Sequence, residues 1–416
     1  MTISPALAAY RGLTGLLEGV APLFLRRRVK AGKEDPRRLP ERLGHASLPR
    51  PAGPLIWMHG ASVGESLSLL ALIDRLRAER PASPILVTSG TVTSAELLAK
   101  RLPEGVIHQF APIDAPAACR RFLAHWRPDM VVFAESEFWP NLILGAKASG
   151  AKIVLVSGKM SEASARGWTR WPAAARRLLG AYDLILAQDE RSAERLRRLG
   201  GTVLGLADLK FGAAPLPCDR AALETARQAL GARPVILAAS THPGEDEVVL
   251  SAFTARRGEA RLVIAPRHPD RGPAIADLAR SRGFSVARRA AGEAPGGAEV
   301  YVADTLGELG LWFRLARFAI VCGSFKPDIG GHNPLEPARL GCAAISGPHV
   351  TNWQGVFDDL AEAGGVTMVQ DGAALAGALA MPEEAREALA ADALAFAQRR
   401  DAEALAGLSR IVEMAP

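Results

Sequence analysis

From Pro54 onward the chain alternates short apolar runs, rich in β-branched residues, with longer amphipathic stretches, and few folds accept that rhythm. Leu55-Ile56-Trp57-Met58 reads as a buried strand and residues 66–77 as a helix. The pairing recurs at Ile85-Leu86-Val87-Thr88 with a helix from about Thr93, and at Met130-Val131-Val132-Phe133 with a helix from about Pro140. Further runs follow at Ile153-Val154-Leu155-Val156 and Leu184-Ile185-Leu186-Ala187. After a proline-containing, strand-poor segment at residues 212–217, a second series runs through Val235-Ile236-Leu237-Ala238, Arg261-Leu262-Val263-Ile264, Glu299-Val300-Tyr301-Val302 and Phe318 to Cys322. Repeated strand–helix units build parallel sheets with helices on both faces. The expected class is therefore α/β, with two Rossmann-like domains facing each other across a cleft. Their expected bounds are residues 31–212 and 213–416, after an N-terminal segment of residues 1–30. Ligands of such sheets sit beyond the carboxyl ends of the strands.

A chain of 416 residues that is 49% hydrophobic buries more than one core, in keeping with two domains. Cys119, Cys218, Cys322 and Cys342 lie far apart, with no CxxC or Cys/His spacing. That argues against a disulfide framework or a structural zinc site, and for a reducing compartment. The formal charge is +6, much of it in Arg26-Arg27-Arg28, Lys30, Lys33, Arg37, Arg38 and Arg42. Upstream, Leu7, Tyr10, Leu13, Leu16, Leu17, Val20, Leu23 and Leu25 recur mostly at intervals of three and four, an apolar helical stripe broken by Arg11 and Glu18. The segment never becomes a clean membrane span, and no small-residue cleavage site follows it. Residues 5–30 read either as an amphipathic helix lying in the cytoplasmic face of a membrane or as a helix packed on its own domain.

The loops after the strands carry the polar residues. Ser62, Gly64 and Glu65 lie in His59-Gly60-Ala61-Ser62-Val63-Gly64-Glu65-Ser66, where Glu65 is either a helix-start acid favoured by the dipole or a general base. Glu135-Ser136-Glu137-Phe138-Trp139-Pro140-Asn141 sets two carboxylates and a tryptophan together after a strand. Lys210 is a lone cation between apolar residues, suited to an anionic substrate group. In the second series, Ser240-Thr241-His242-Pro243-Gly244-Glu245 precedes a helix, and Arg267 stands between Pro266 and Pro269. Such hydroxyls and a forked guanidinium suit a phosphate. In Gly330-Gly331-His332-Asn333-Pro334-Leu335-Glu336-Pro337, Asn333 reads as an N-cap, Pro334 as the first helical residue and Glu336 as the partner in a capping box. Free backbone N–H groups there would suit an anion. No GxGxxG or GxxxxGK[ST] pattern stands at these strand ends, against a dehydrogenase or P-loop NTPase.

Together these blocks, with Leu209-Lys210-Phe211, Pro266-Arg267-His268-Pro269 and Asp304-Thr305-Leu306-Gly307-Glu308-Leu309, resemble the Kdo (3-deoxy-D-manno-octulosonic acid) transferases of lipopolysaccharide biosynthesis. The likeness runs in order from about residue 10 to beyond Pro348-His349. It implies a GT-B glycosyltransferase whose N-terminal domain takes a lipid A precursor and whose C-terminal domain binds the CMP of CMP-Kdo. Transfer would invert the anomeric carbon, on the cytoplasmic face of the inner membrane, with residues 5–30 as the membrane contact. Carried over position by position, Glu65 is the catalytic base. Arg267, Ser240, Thr241 and the segment of Gly330, Gly331 and Asn333 stabilise the leaving phosphate without a metal, and Glu336 meets the ribose. Lys210 is assigned to the Kdo carboxylate, Glu137 with Ser62 and Gly64 to the shape of the donor–acceptor site, and Lys159 to a phosphate of the lipid. No cofactor and no nucleic acid are expected.

The chain departs from the family pattern at Thr91-Val92-Thr93-Ser94, Ser157-Gly158-Lys159-Met160-Ser161 and Ala207-Asp208-Leu209-Lys210-Phe211. Lys159 stands where arginine is usual and lacks its fork, and Asp208 sets a negative charge beside Lys210. Two rivals stay open. One is a GT-B enzyme or epimerase using a nucleoside diphosphate; the other is a basic membrane-surface or nucleic-acid scaffold.

Overall fold

The computed structural model describes residues 4–416. The chain forms two compact units, one of residues 1–213 with Arg400–Pro416 and one of Ala214–Arg399. In the first, α1 (Pro5–Glu18), α2 (Ala21–Lys30) and the single turn α3 (Leu39–Arg42) precede the sheet. Then follow β1 (Ile56–His59), α4 (Val63–Glu79), β2 (Ile85–Ser89), α5 (Val92–Arg101), β3 (Ile107–Phe110), α6 (Pro116–Trp126), β4 (Met130–Ala134) and α7 (Pro140–Ala148). β5 (Lys152–Gly158), α8 (Glu162–Thr169), α9 (Pro172–Leu179), β6 (Leu184–Ala187), α10 (Glu190–Arg198) and β7 (Val203–Leu206) complete it. All strands are parallel, in the order β3-β2-β1-β4-β5-β6-β7. β1 and β4 are apolar on both faces because helices cover both. Trp57 packs on Phe122 and Phe133 at ring-centroid distances of 4.8 and 5.5 Å and donates its Nε1–H to Thr88 Oγ1 at 2.8 Å.

The second unit repeats the plan. It contains α11 (Arg220–Leu230), β8 (Val235–Thr241), α12 (Glu245–Phe253), β9 (Arg261–Pro266), α13 (Gly272–Ser281), β10 (Val286–Arg288), β11 (Val300–Val302) and α14 (Leu309–Leu315). It continues with β12 (Ala316–Val321), α15 (Leu335–Ala338), β13 (Ala343–Ser346), α16 (Gln354–Glu362), β14 (Thr367–Met368), α17 (Gly372–Leu379) and the first half of α18 (Glu383–Met414), which passes into the first unit at Arg400. Its parallel sheet has the order β10-β11-β9-β8-β12-β13-β14. In the first sheet the strand order reverses between β1 and β4, and in the second between β8 and β12, with β10 placed outside β11 at the edge. Doubly wound sheets bind their ligands there.

Three features differ from the sequence reading. First, β3, β7, β10, β13 and β14 lacked the apolar signature of a strand; β3, for example, carries His108 and Gln109. Second, the division falls after Ala213, and Arg400–Pro416 belongs to the first unit, not the second. Leu408, Ile411 and Val412 of α18 pack in one core with Leu69, Leu72 and Val154. Third, much of the early basic cluster is paired inside the fold. Arg28 and Arg42 share the buried Glu34, while Arg38 grips Glu41 and lies 4.6 Å from the Phe110 ring centroid. Arg26 and Arg27 are exposed.

Residues 5–30 form two helices, and the first is docked by polar contacts. Tyr10 donates its hydroxyl to Asp114 at 2.9 Å, Asn141 Nδ2 donates to Thr14 Oγ1 at 3.0 Å, and Glu18 accepts from Ala117 N and Arg121, each at 3.0 Å. Asp114 also accepts from the backbone N–H groups of Asn141 and Leu142, so one carboxylate pins α1 and caps α7. Burial raises the pKa of that carboxyl, against the pull of its hydrogen bonds. The apolar side of α1 and α2 is left in solvent: Leu16 is 81% exposed, and Leu13, Leu17, Val20, Leu23 and Phe24 are each more than half exposed. Among the described residues no helix is long and apolar enough to cross a membrane.

Candidate active site

At the reversal point of the first sheet, β1 delivers the loop Gly60-Ala61-Ser62 to α4. Glu65 stands in a capping box: Ser62 Oγ accepts from Glu65 N at 3.3 Å and donates to Glu65 Oε1 at 3.0 Å, while Glu65 Oε2 accepts from Ala61 N at 2.6 Å. The helix-start reading of Glu65 therefore holds, and the residue is half-buried at the strand end. Gly60 must lack a side chain, since a Cβ would lie 3.0 Å from the backbone of Glu65 and Ser66, whereas a Cβ on Gly64 would meet nothing within 4 Å.

Across the reversal, the loop after β4 holds two carboxylates with opposite surroundings. Glu137 is buried and turned inward: its Oε2 lies 3.1 Å from His59 Nε2 and accepts from Trp139 Nε1, while His59 Nδ1 lies 2.9 Å from Thr88 Oγ1. Burial works against charge on Glu137, but the bonds from His59 and Trp139 outweigh it and hold its carboxyl below the ordinary range. Glu137 thus ties the exposed Trp139 to His59 of β1. Glu135 stands in the charged group: burial raises its carboxyl, Lys210 and Lys159 oppose that, and Glu65 and Asp208 reinforce it. Lys159 N donates to Glu135 O at 3.2 Å. Asp208 is buried and accepts from Gln188 Nε2 and Lys210 N, each at 3.0 Å. Glu65, Glu135, Lys159 and Lys210 therefore form one neighbourhood of mixed charge.

Among the described residues, Arg127, Glu135, Ser157 and Ser240 are the non-glycine residues with positive φ. The last three stand at or just beyond the carboxyl ends of β4, β5 and β8, with φ of 56°, 52° and 60°. Left-handed backbone at such residues costs about 1–3 kcal/mol and gathers where function requires it. The sequence reading set Glu135 beside Glu137 but gave a role only to Glu137. Its place in the motif was visible, but its backbone twist was not.

At the reversal of the second sheet, Ser240 forms a bulge where β8 pairs with β9, which turns its side chain out of the strand's alternation. Thr241 is fully buried, including its hydroxyl oxygen, so it serves the loop instead of offering a donor outward: its carbonyl accepts from Arg267 N at 3.1 Å and Arg271 Nη1 at 2.8 Å. The buried Glu245 ties the two neighbouring loops together, accepting from the N–H groups of His242, Gly323, Ser324 and Phe325 at 2.8–3.0 Å. His242 and His332 stack, with Nε2 atoms 2.9 Å apart, and burial lowers the His332 imidazole to about 4, helped by His242 and Arg267. Arg267 is exposed and acts on Glu336 too, whose carboxyl burial raises while Arg339, a bond from Asn333 and Arg267 draw it down.

The Gly330–Glu336 segment departs from its expected geometry. α15 is one turn of four residues, too short for a useful dipole, and Asn333 Oδ1 accepts from Leu335 N at 3.0 Å, two residues on. Gly331 N donates to Gly323 O at 2.8 Å. These N–H groups are spent inside the fold. The glycines are needed for packing: both have φ of 80° or more, and a Cβ on Gly330 would lie 2.7 Å from Thr351 Oγ1 and Asn352 Nδ2. In the neighbouring loops Arg267 is exposed and Ser240 half-buried, with Lys326 lying against Gly244. Asp304 and Glu308, in the loop between β11 and α14, pair with Arg288 and Arg289. Among the described residues no group of three or more His, Cys, Asp or Glu could hold a metal ion.

Comparison with known proteins gives the family. Residues 37–213 match the family model described as 3-deoxy-D-manno-octulosonic-acid transferase (kdotransferase). The chain is 35% identical over 378 residues to a probable 3-deoxy-D-manno-octulosonic acid transferase, mitochondrial, of Arabidopsis thaliana, covering 87% of this chain and 84% of the relative. It is 35% identical over 379 residues to the 3-deoxy-D-manno-octulosonic acid transferase of Bordetella pertussis, covering 85% and 87%. Among solved structures, a UDP-GlcNAc 2-epimerase from Neisseria meningitidis bound to UDP-GlcNAc superimposes with a TM-score of 0.52 over 85% of this chain and all of that one; at 14% identity it speaks for the shared GT-B-like fold alone. The chain belongs to the 3-deoxy-D-manno-octulosonic acid (Kdo) transferase family of glycosyltransferases.

Proposed function

We propose that this enzyme transfers Kdo from CMP-Kdo to a lipid A precursor, lipid IVA, with inversion at the anomeric carbon and Glu65 as the general base. The observation that carries this reading is the Glu65 carboxylate at the reversal point of the first sheet, held by Ala61 and Ser62 and set among Glu135, Lys159 and Lys210. An ionised carboxylate offers about four lone-pair sites. Those not used by its own loop can take the proton of an acceptor hydroxyl as that oxygen attacks the anomeric carbon. The bond from that carbon to the phosphate oxygen breaks, and its electron pair leaves with CMP. Arg267 and Ser240, supported by Thr241 and the Gly330-Gly331-Asn333 segment, then meet the charge on the departing phosphate with fixed donors. Glu336 accepts from the ribose hydroxyls. Lys210 pairs with the Kdo carboxylate and Lys159 with a phosphate of the lipid.

The reaction takes place at the cytoplasmic face of the inner membrane, with the protein attached through residues 5–30. The exposed apolar side of α1 and α2 and the neighbouring Arg26 and Arg27 support this attachment. The test is incubation with CMP-Kdo and lipid IVA followed by mass spectrometry of the lipid. A product heavier by one or more Kdo units is expected. No mass gain, together with tighter binding of UDP than of CMP, would replace this reading with a nucleoside-diphosphate enzyme of the same fold.

A further inference from the structure

A cavity of about 1450 Å³ lies in the first unit between α1 on one side and α6 and α7 on the other. Leu7, Leu123 and Leu144 contribute its apolar wall, and Ala8, Gly12, Gly15, Ala124, Gly145 and Ala148 keep it wide. Its width follows from the way α1 is attached: Tyr10, Thr14 and Glu18 hold the helix by hydrogen bonds along one edge, so no apolar seam closes the space beside it.

The two glycines of α1 point to an occupant. Glycine inside a helix is unfavourable relative to alanine, so it calls for a reason in the surroundings. The protein itself supplies none: a Cβ on Gly12 would meet nothing within 4 Å, and one on Gly15 only Pro116, at 3.7 Å. Side chains at these positions would project into space that stands open.

The chemistry of that occupant follows from shape, charge and setting. α6, of 11 residues, makes the trench about 16 Å long, close to half of a bilayer's ~30 Å hydrocarbon core and hence to one acyl chain. Arg11, Arg120, Arg127 and Arg177 line the cavity with Asp129 as their one carboxylate, which suits a chain attached to an anionic head and disfavours a neutral apolar peptide. Leu16 lines the cavity and also belongs to the exposed apolar stripe with Leu13, Leu17 and Val20, so the trench opens onto the surface read above as membrane-facing. Pro116 and Asn141 mark its end near the carboxyl ends of β3 and β4, the same end of the sheet as Glu65 and Glu135.

We propose that this trench takes one acyl chain of the lipid acceptor out of the bilayer while the rim arginines pair with the phosphorylated head, so that the acceptor's acylation is a determinant of specificity. The proposal rests on the lipid-acceptor reading above. Gly12→Trp tests it by filling the trench from a helix position that needs no glycine, and Gly12→Leu is the smaller alternative should tryptophan disturb folding. Transfer is measured with the acylated acceptor and with the same phosphorylated disaccharide stripped of its acyl chains, and binding with a fluorescently labelled lysophosphatidic acid below its micellar concentration. The variant should raise KM for the acylated acceptor about tenfold or more, leave the deacylated one within about twofold, and lose the labelled lipid. Leu13→Ser with Leu17→Ser should instead weaken adsorption to phosphatidylglycerol vesicles and keep the labelled lipid. A Gly12→Trp enzyme that binds the labelled lipid and handles both acceptors like wild type would overturn the proposal. Wild-type protein that transfers no Kdo, yet binds the labelled lipid through Gly12, would remove the acceptor reading and leave a lipid-binding trench.

Discussion

The Glu65 carboxylate accepts from Ala61 N–H and the Ser62 hydroxyl, so its position is settled before any substrate arrives. Glu65→Gln keeps one oxygen for the Ala61 N–H, turns the other contact into a donor to Ser62 Oγ, and loses the basicity. Turnover should fall about a hundredfold or more while CMP binding, measured by calorimetry, stays near wild type. Near-normal turnover would remove Glu65 from the role of base. Arg267→Ala makes the opposite split, since losing a charge-assisted contact should weaken CMP binding about tenfold or more. Ser240→Gly separates strain from chemistry. Glycine accepts a φ of 60° freely, so stability should rise by roughly 0.5–1 kcal/mol while CMP affinity drops about fivefold with the lost hydroxyl. A rise in stability with unchanged affinity would remove Ser240 from the nucleotide site. Glu65 and Arg267 were legible in the sequence because a loop acid before a helix and an arginine between prolines are chemical signatures. The division of labour between Glu135 and Glu137 was not, because it depends on a left-handed residue and on His59 reaching across from β1.

At the scale of elements, the strong strands of both sheets were readable because double-sided burial demands unbroken apolar runs. The weaker ones escaped because less is demanded of them: His108 in β3 is bonded to Ser89 and Arg38, and β13 has small residues at three of its four positions. The Gly330 loop shows the converse error. Its capping grammar misled: Pro334, not Asn333, stands at the N-cap, no side chain caps the helix, and α15 starts at Leu335 and stops after one turn, with Asn333 Oδ1 bonded to Leu335 N. α1 is held by polar contacts at its edge, which makes its attachment adjustable by single side chains. Tyr10→Phe should loosen it by about 1 kcal/mol, and Asp114→Ala by more, because α7 then loses a cap as well. Hydrogen exchange of α1 amides checks this. Equal protection in both variants and wild type would mean that other contacts hold the helix.

For the molecule as a whole, acid is the weak side. Burial, with Arg38 adding to it, pushes His108 down to about 3, and burial with its cationic neighbours brings His332 to about 4, against an ordinary 6.5. In that window the folded chain binds fewer protons than the unfolded one, so this stabilisation is complete above pH 6.5 and declines as the pH falls toward 4. Urea midpoints should drop over that range, and less steeply in His108→Asn. An identical slope in the variant would clear His108 of any part in it.

α18 has a further consequence for how the protein is made. The first unit is written into residues 1–213, yet its core receives Leu408, Ile411 and Val412 from the far end of the chain. During synthesis even the last strand of its sheet, β7, leaves the ribosome about two hundred residues before that patch is covered, an interval of ten seconds or more at ~5–20 residues per second. The unit translated first is thus the last to be finished, and throughout that wait its sheet carries a bare apolar face, open to a chaperone.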